Sequence, residues 1–157
     1  MSARRIALAL AVALALALTA GCSTSEQAAP DIEIVDAFMT PGDSTIAVYL
    51  TISNGGGPDE IIGAESSDVT ELVTLHQAKQ RDGLSVMEPT ATIVVGGNST
   101  TALNPGKAHL MLEGLARPYD VGDEIPLEVT FERSGVITTT VQVIGADEAL
   151  DRVVADT

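Results

Sequence analysis

Period-two alternation recurs in short runs from Asp31 to Ile144, and it restricts this chain's fold more than any other feature. Residues 45–53 display it best, with Ile46, Val48, Leu50 and Ile52 on one side of an extended chain. That is the pattern of a strand with one face buried. The cluster Asn54-Gly55-Gly56-Gly57-Pro58-Asp59 ends this run as a turn, and Gly96-Gly97-Asn98-Ser99 breaks the chain again further on. Strand-like runs are expected at 61–64, 71–76, 84–87, 92–95, 107–112, 125–132 and 136–144, the last two joined through Arg133-Ser134-Gly135 as a hairpin. About eight short strands at this spacing predict an all-β domain, an antiparallel Greek-key sandwich or barrel. Only residues 146–155 read as helical, with Leu150, Val153 and Val154 as a short apolar stripe; an unpacked polar tail is the other reading.

A length of 157 residues leaves room for one such domain. Upstream of it, Met1-Ser2-Ala3-Arg4-Arg5 is basic and residues 6–20 are unbroken Ala, Leu, Val, Ile and Thr. This apolar run is too short to span a bilayer and fits a secretory signal peptide over residues 1–21. Leu18-Thr19-Ala20-Gly21-Cys22 resembles a bacterial lipobox, with Thr19 where Leu is usual, so Cys22 is the expected lipidated residue. Residues 22–30, polar and aperiodic, read as a flexible tether; 31–145 form the β domain and 146–157 a tail. The expected location is the extracytoplasmic face of the bacterial cell membrane.

Cys22 is the single cysteine, so the folded part has no disulfide, no thiolate nucleophile and no cysteine metal ligand. The formal charge of −14 becomes −16 once residues 1–21, which hold Arg4 and Arg5 but no acid, are removed. Such a surface repels phosphate backbones, and Phe38, Tyr49, Tyr119 and Phe131 are too scattered to stack bases. Nucleic acid is therefore excluded as a partner. Enzyme motifs are missing as well: the chain has no Gly-rich phosphate loop, no G-x-S-x-G elbow and no H-E-x-x-H. Asp120, Asp123 and Glu124 around Gly122 read as a solvated turn. No stretch supplies a full set of calcium-loop acids.

The histidines and methionines stand apart. His109 and Met111 lie two apart on an expected strand, hence on one face and about 6.6 Å apart. His76 and Met87 flank Gln77-Ala78-Lys79-Gln80-Arg81-Asp82-Gly83, which reads as a hairpin loop that would draw them together. Two thioethers and two imidazoles favour copper(I) over zinc, calcium or magnesium, because the uncharged sulfur donor is soft. Each residue alone is as readily a core methionine or a surface histidine.

The spacing H-x10-M-x21-H-x-M formed by His76, Met87, His109 and Met111 resembles the signature of the PCu(A)C family of extracytoplasmic copper chaperones. Three flanking segments are also similar to that family: Ile46-Ala47-Val48-Tyr49-Leu50-Thr51-Ile52-Ser53-Asn54, Val73-Thr74-Leu75-His76, and residues 105–115 around His109. The resemblance implies a cupredoxin-like β sandwich without an electron-transfer cysteine. It implies one copper(I) held by the four residues and delivered by ligand exchange, not catalysis, to the CuA centre of a respiratory oxidase, through an oxidase subunit or an assembly protein. Gln77 stands where some relatives carry Met, and the chain lacks a His/Met-rich tail for a second ion. The competing expectations are a lipid-anchored adhesion or scaffold module, and a metal-dependent reductase that would need an external thiol.

Overall fold

The computed structural model, which describes residues 27–70 and 72–155, turns the alternating runs into ten strands and one helix among those residues. They are β1 (Ile32–Met39), β2 (Thr45–Asn54), β3 (Asp59–Glu65), β4 (Leu72–Arg81), β5 (Leu84–Pro89), β6 (Ile93–Val95), β7 (Ser99–Leu103), β8 (Ala108–Glu113), β9 (Glu124–Phe131), β10 (Gly135–Val143) and α1 (Ala146–Ala155). The expected signal peptide and Cys22 lie outside the described residues.

Strand order is β5-β4-β8-β2-β1-β10-β9-β3-β6, with β7 also on β2. β2 is long enough to take two neighbours in series on one edge, β8 along residues 45–48 and β7 along residues 50–54. The pairings are antiparallel except β1 with β10, which run parallel. That pair joins opposite ends of the domain, and no hairpin constrains its direction. Ile46, Val48, Leu50 and Ile52 face one core as their alternation predicts, against Leu110 and Leu112 of β8, Leu127, Val129 and Phe131 of β9, and Val141 of β10. The sheet therefore curls around a single apolar interior, to which every strand but β5 contributes a buried residue. Burial at about 25 cal/mol per Å² of apolar surface is the term that holds such an interior together.

The β4–β5 hairpin departs from expectation. Gln77 to Arg81 continue β4 and are not a loop; the turn is only Asp82-Gly83, both with positive φ, 51° and 80°. This two-residue connection has the backbone twist that matches paired strands, and Asp-Gly is its favoured sequence. Polarity had suggested a longer loop, but β4 and β5 form a solvated ribbon there, so their polar residues need not end the strands.

α1 forms, with Asp147 and Glu148 in its first turn and Arg152 in its last, matching the helix dipole. Its packed stripe is Ala149 and Val153 against Phe38, Ile144 and Tyr49. Leu150 and Val154 instead remain exposed, unlike the expected stripe. Arg152 ties the helix down, reaching Asp36 at 2.7 Å, Gln142 at 2.8 Å and Glu148 at 2.8 Å.

Candidate metal centre

Register brings the sequence candidates onto one face of three adjacent strands. In the β4–β8 ladder His76 lies directly opposite His109 and Thr74 opposite Met111. In the β4–β5 ladder Met87 lies opposite Ala78, two residues from His76. Strand side chains alternate between faces, so His76, Met87, His109 and Met111 share the face away from Leu75, Leu110 and Leu112. Met87 and Met111 are each diagonal neighbours of His76, a spacing of about 7–8 Å that a flexible thioether can cross. Met87 is thus not paired with His76, because the ladder closed by the Asp82-Gly83 turn sets His76 opposite Pro89.

The imidazoles of His76 and His109 stack, with centroids 5.4 Å apart and planes 11° from parallel. Two imidazolium ions would repel in that arrangement. Burial holds the pKa of His109 below its ordinary value, and charge on His76 lowers it further. At neutral pH its ring consequently keeps an unprotonated nitrogen. His109 is 6% exposed, and neither Nδ1 nor Nε2 has a hydrogen-bond partner. Buried polar atoms are normally paired, so an unsatisfied imidazole on a face with two thioethers has a bare ring nitrogen free for a metal bond.

Sequence reasoning missed what surrounds the pair. The Tyr49 ring stands edge-on to His109 at 6.1 Å and packs on Phe38 at 5.4 Å, so α1, Phe38 and Tyr49 form a stack that keeps His109 dry. On the other side Thr74 Oγ1 lies 3.0 Å from His76 Nε2 and donates to Glu113 Oε1 at 2.8 Å. The signal was present: Thr74 is two residues before His76 and Glu113 two after Met111, so both share the strand face of the candidates. Among the described residues no three His, Cys, Asp or Glu gather as a ligand set. Hard-ion chemistry has no site of that kind there, whereas imidazole plus thioether suits a soft ion.

Residues 27–143 match the family model described as "Putative lipoprotein LpqE-like". "Putative lipoprotein Lxx21020" of Leifsonia xyli subsp. xyli is 29% identical over 115 residues, covering 71% of this chain and 69% of that one. Two solved structures share the fold. The copper-bound PCuAC domain from PmoF2 has a TM-score of 0.60 at 22% identity, covering 73% of this chain and 92% of that domain. CuI-DR1885 from Deinococcus radiodurans has a TM-score of 0.55 at 20% identity, covering 83% of this chain and 87% of that one. The expected cupredoxin-like β fold is therefore the one observed.

Proposed function

The chain belongs to the LpqE-like lipoprotein family, and on that ground, together with the paired histidines, we propose that it is a copper(I) carrier that binds through His76, Met87, His109 and Met111. The observation that carries the reading is His109: a dry imidazole with both nitrogens unpartnered, stacked on a second imidazole and flanked by thioethers on one strand face. Copper-bound neighbours of the same fold support it.

The chemistry is ligand exchange. Uncharged sulfur and nitrogen donors hold copper(I) without changing its oxidation state, and a recipient offering thiolates draws it away because thiolate is the stronger soft donor. His76 and Met87 sit on the solvated β4–β5 ribbon and are only partly buried, so an incoming ligand meets that side first. The drier His109 would be the last to let go. The recipient in this reading is the CuA centre of a respiratory oxidase or its assembly protein. Lipid on Cys22 keeps the carrier at the extracytoplasmic membrane face.

The test is anaerobic titration with copper(I) against a chromophoric competitor, comparing wild type with Met87→Ala and His109→Ala. One tight equivalent, weakened at least about tenfold in each variant, is expected for loss of a metal ligand. Equal competition by all three proteins refutes the copper reading and leaves a lipid-anchored scaffold.

A further inference from the structure

Resting on the copper reading for its ligand, we propose that Glu113, acting through Thr74, holds His76 in the tautomer protonated on Nε2 and so presents Nδ1 as the nitrogen His76 offers to copper(I).

The Thr74 hydroxyl has a single proton, and a carboxylate has none to give, so the 2.8 Å contact to Glu113 Oε1 uses that proton. Only a lone pair of Thr74 Oγ1 is left for His76 Nε2 at 3.0 Å. Nε2 must therefore carry the hydrogen, and in a neutral imidazole the other nitrogen is then bare. A carboxylate reached through one hydroxyl also makes the imidazole a better donor, as carboxylate partners of metal-bound histidines do.

The sheet builds this relay from distant segments. Thr74 faces Met111 across the β4–β8 ladder, and Glu113 faces Leu72, so Glu113 approaches Thr74 on the diagonal. Glu113 is held in turn by its backbone, whose carbonyl accepts from the Thr70 hydroxyl. His109 has no comparable partner on either nitrogen. The two histidines are thus unlike: His76 arrives with its tautomer set, and His109 with both nitrogens uncommitted. Thr74 and Glu113 are positioning residues that touch no metal.

Long-range proton–nitrogen correlation spectra of the purified full-length protein in detergent, with isotope-labelled histidine, test this directly; the chain has two histidines to assign. In the metal-free protein His76 is expected in the Nε2–H form by about tenfold or more, the ratio a hydrogen bond of about 1.4 kcal/mol supports. Thr74→Val should collapse that ratio, and Thr74→Ser should keep it. Glu113→Ala frees the hydroxyl to donate, shifting His76 toward Nδ1–H, and reads the relay even if Thr74→Val folds poorly. On adding copper(I) the Nδ1 resonance of His76 should move while Nε2 retains its proton, and Thr74→Val should weaken binding about 10- to 100-fold. A wild-type Nδ1–H tautomer, or a ratio indifferent to Thr74→Val and Glu113→Ala, overturns the relay. Movement of Nε2 in its place overturns the assigned donor. If copper moves neither ring, the copper reading fails, while the metal-free spectra still decide the relay.

Discussion

In the proposed function, His109 is the residue at which stability and copper binding conflict. A buried polar group left unpaired costs about 1–3 kcal/mol, and both ring nitrogens of this 6% exposed side chain lack partners. An apolar side chain of similar volume removes that cost without opening a cavity. His109→Leu is therefore expected to stabilise the metal-free protein by about 1 kcal/mol in urea unfolding and to abolish the stabilisation that copper(I) gives wild type by binding only the folded state. A less stable metal-free variant would mean that His109 is held by contacts that leucine cannot replace. As a candidate this residue was legible from the H-x10-M-x21-H-x-M pattern it forms with His76, Met87 and Met111, not from its two-residue spacing to Met111 alone. Its dryness was not, because Tyr49 reaches it from β2, backed by Phe38 of β1, both far away in the chain.

At the scale of the elements, one buried carboxylate staples the β9–β10 hairpin to the start of β3. Asp59, 3% exposed, accepts from the backbone of Glu60 and Arg133 through Oδ1 and from the backbone and hydroxyl of Ser134 through Oδ2. Burial pushes its carboxyl up, but the hydrogen bonds from Ser134, Arg133 and Glu60 together outweigh it and hold the pKa below the ordinary value. A pKa lowered by folding contributes stability that is complete above the unfolded value and lost as pH falls through the folded one. Stability should thus decline through the acid range below 3.8, and Asp59→Asn should flatten that part of the pH profile while costing about 2 kcal/mol at neutral pH. Denaturant midpoints measured across that range check both effects; an unchanged slope would assign the acid transition to other carboxylates. The same pole also captures the end of the segment read as a tether. Arg133 donates to the carbonyls of Gln27, Ala28 and Pro58, and Gly57 to that of Ala29, so Gln27 to Pro30 lie against the domain. A Cβ on Gly56 would meet the Ala29 carbonyl oxygen at 2.0 Å, which explains glycine in that loop. The sequence marked the turn, but nothing local in it marks the strap that lies across.

At the scale of the whole molecule, the proposed function turns on how the chain is attached to a membrane. No helix among the described residues is long and apolar enough to cross a membrane. In the proposed function the attachment is the lipid on Cys22, which confines diffusion to the plane where oxidases sit. Cys22→Ala, exported behind an ordinary cleavable signal, is expected to keep the copper(I) affinity of wild type while lowering oxidase loading in cells. Fractionation and oxidase metal content measure the two separately, and undiminished loading would remove the anchor from the mechanism. The formal charge of −14 leaves few cations, and those of the described domain are largely committed internally: Arg117 to Asp123, Arg81 to Glu88 and Arg152 to Asp36.

By itself the sequence marked about eight of the ten strands of the described residues, because a two-residue period reports burial on one face wherever it recurs, and it supplied the soft donor types on which the proposed ligand set rests. It also contained the Asp82-Gly83 turn, whose signal was hidden by the polarity of the ribbon around it. Only the tertiary structure decided the register that sets His76 against His109 and Met87 against Ala78. The same holds for the parallel closure of β1 on β10, the stack that dries His109, and the Glu113–Thr74–His76 relay. Each of these depends on contacts between segments that are remote along the chain, and a local pattern contains no term for which strand lies beside it.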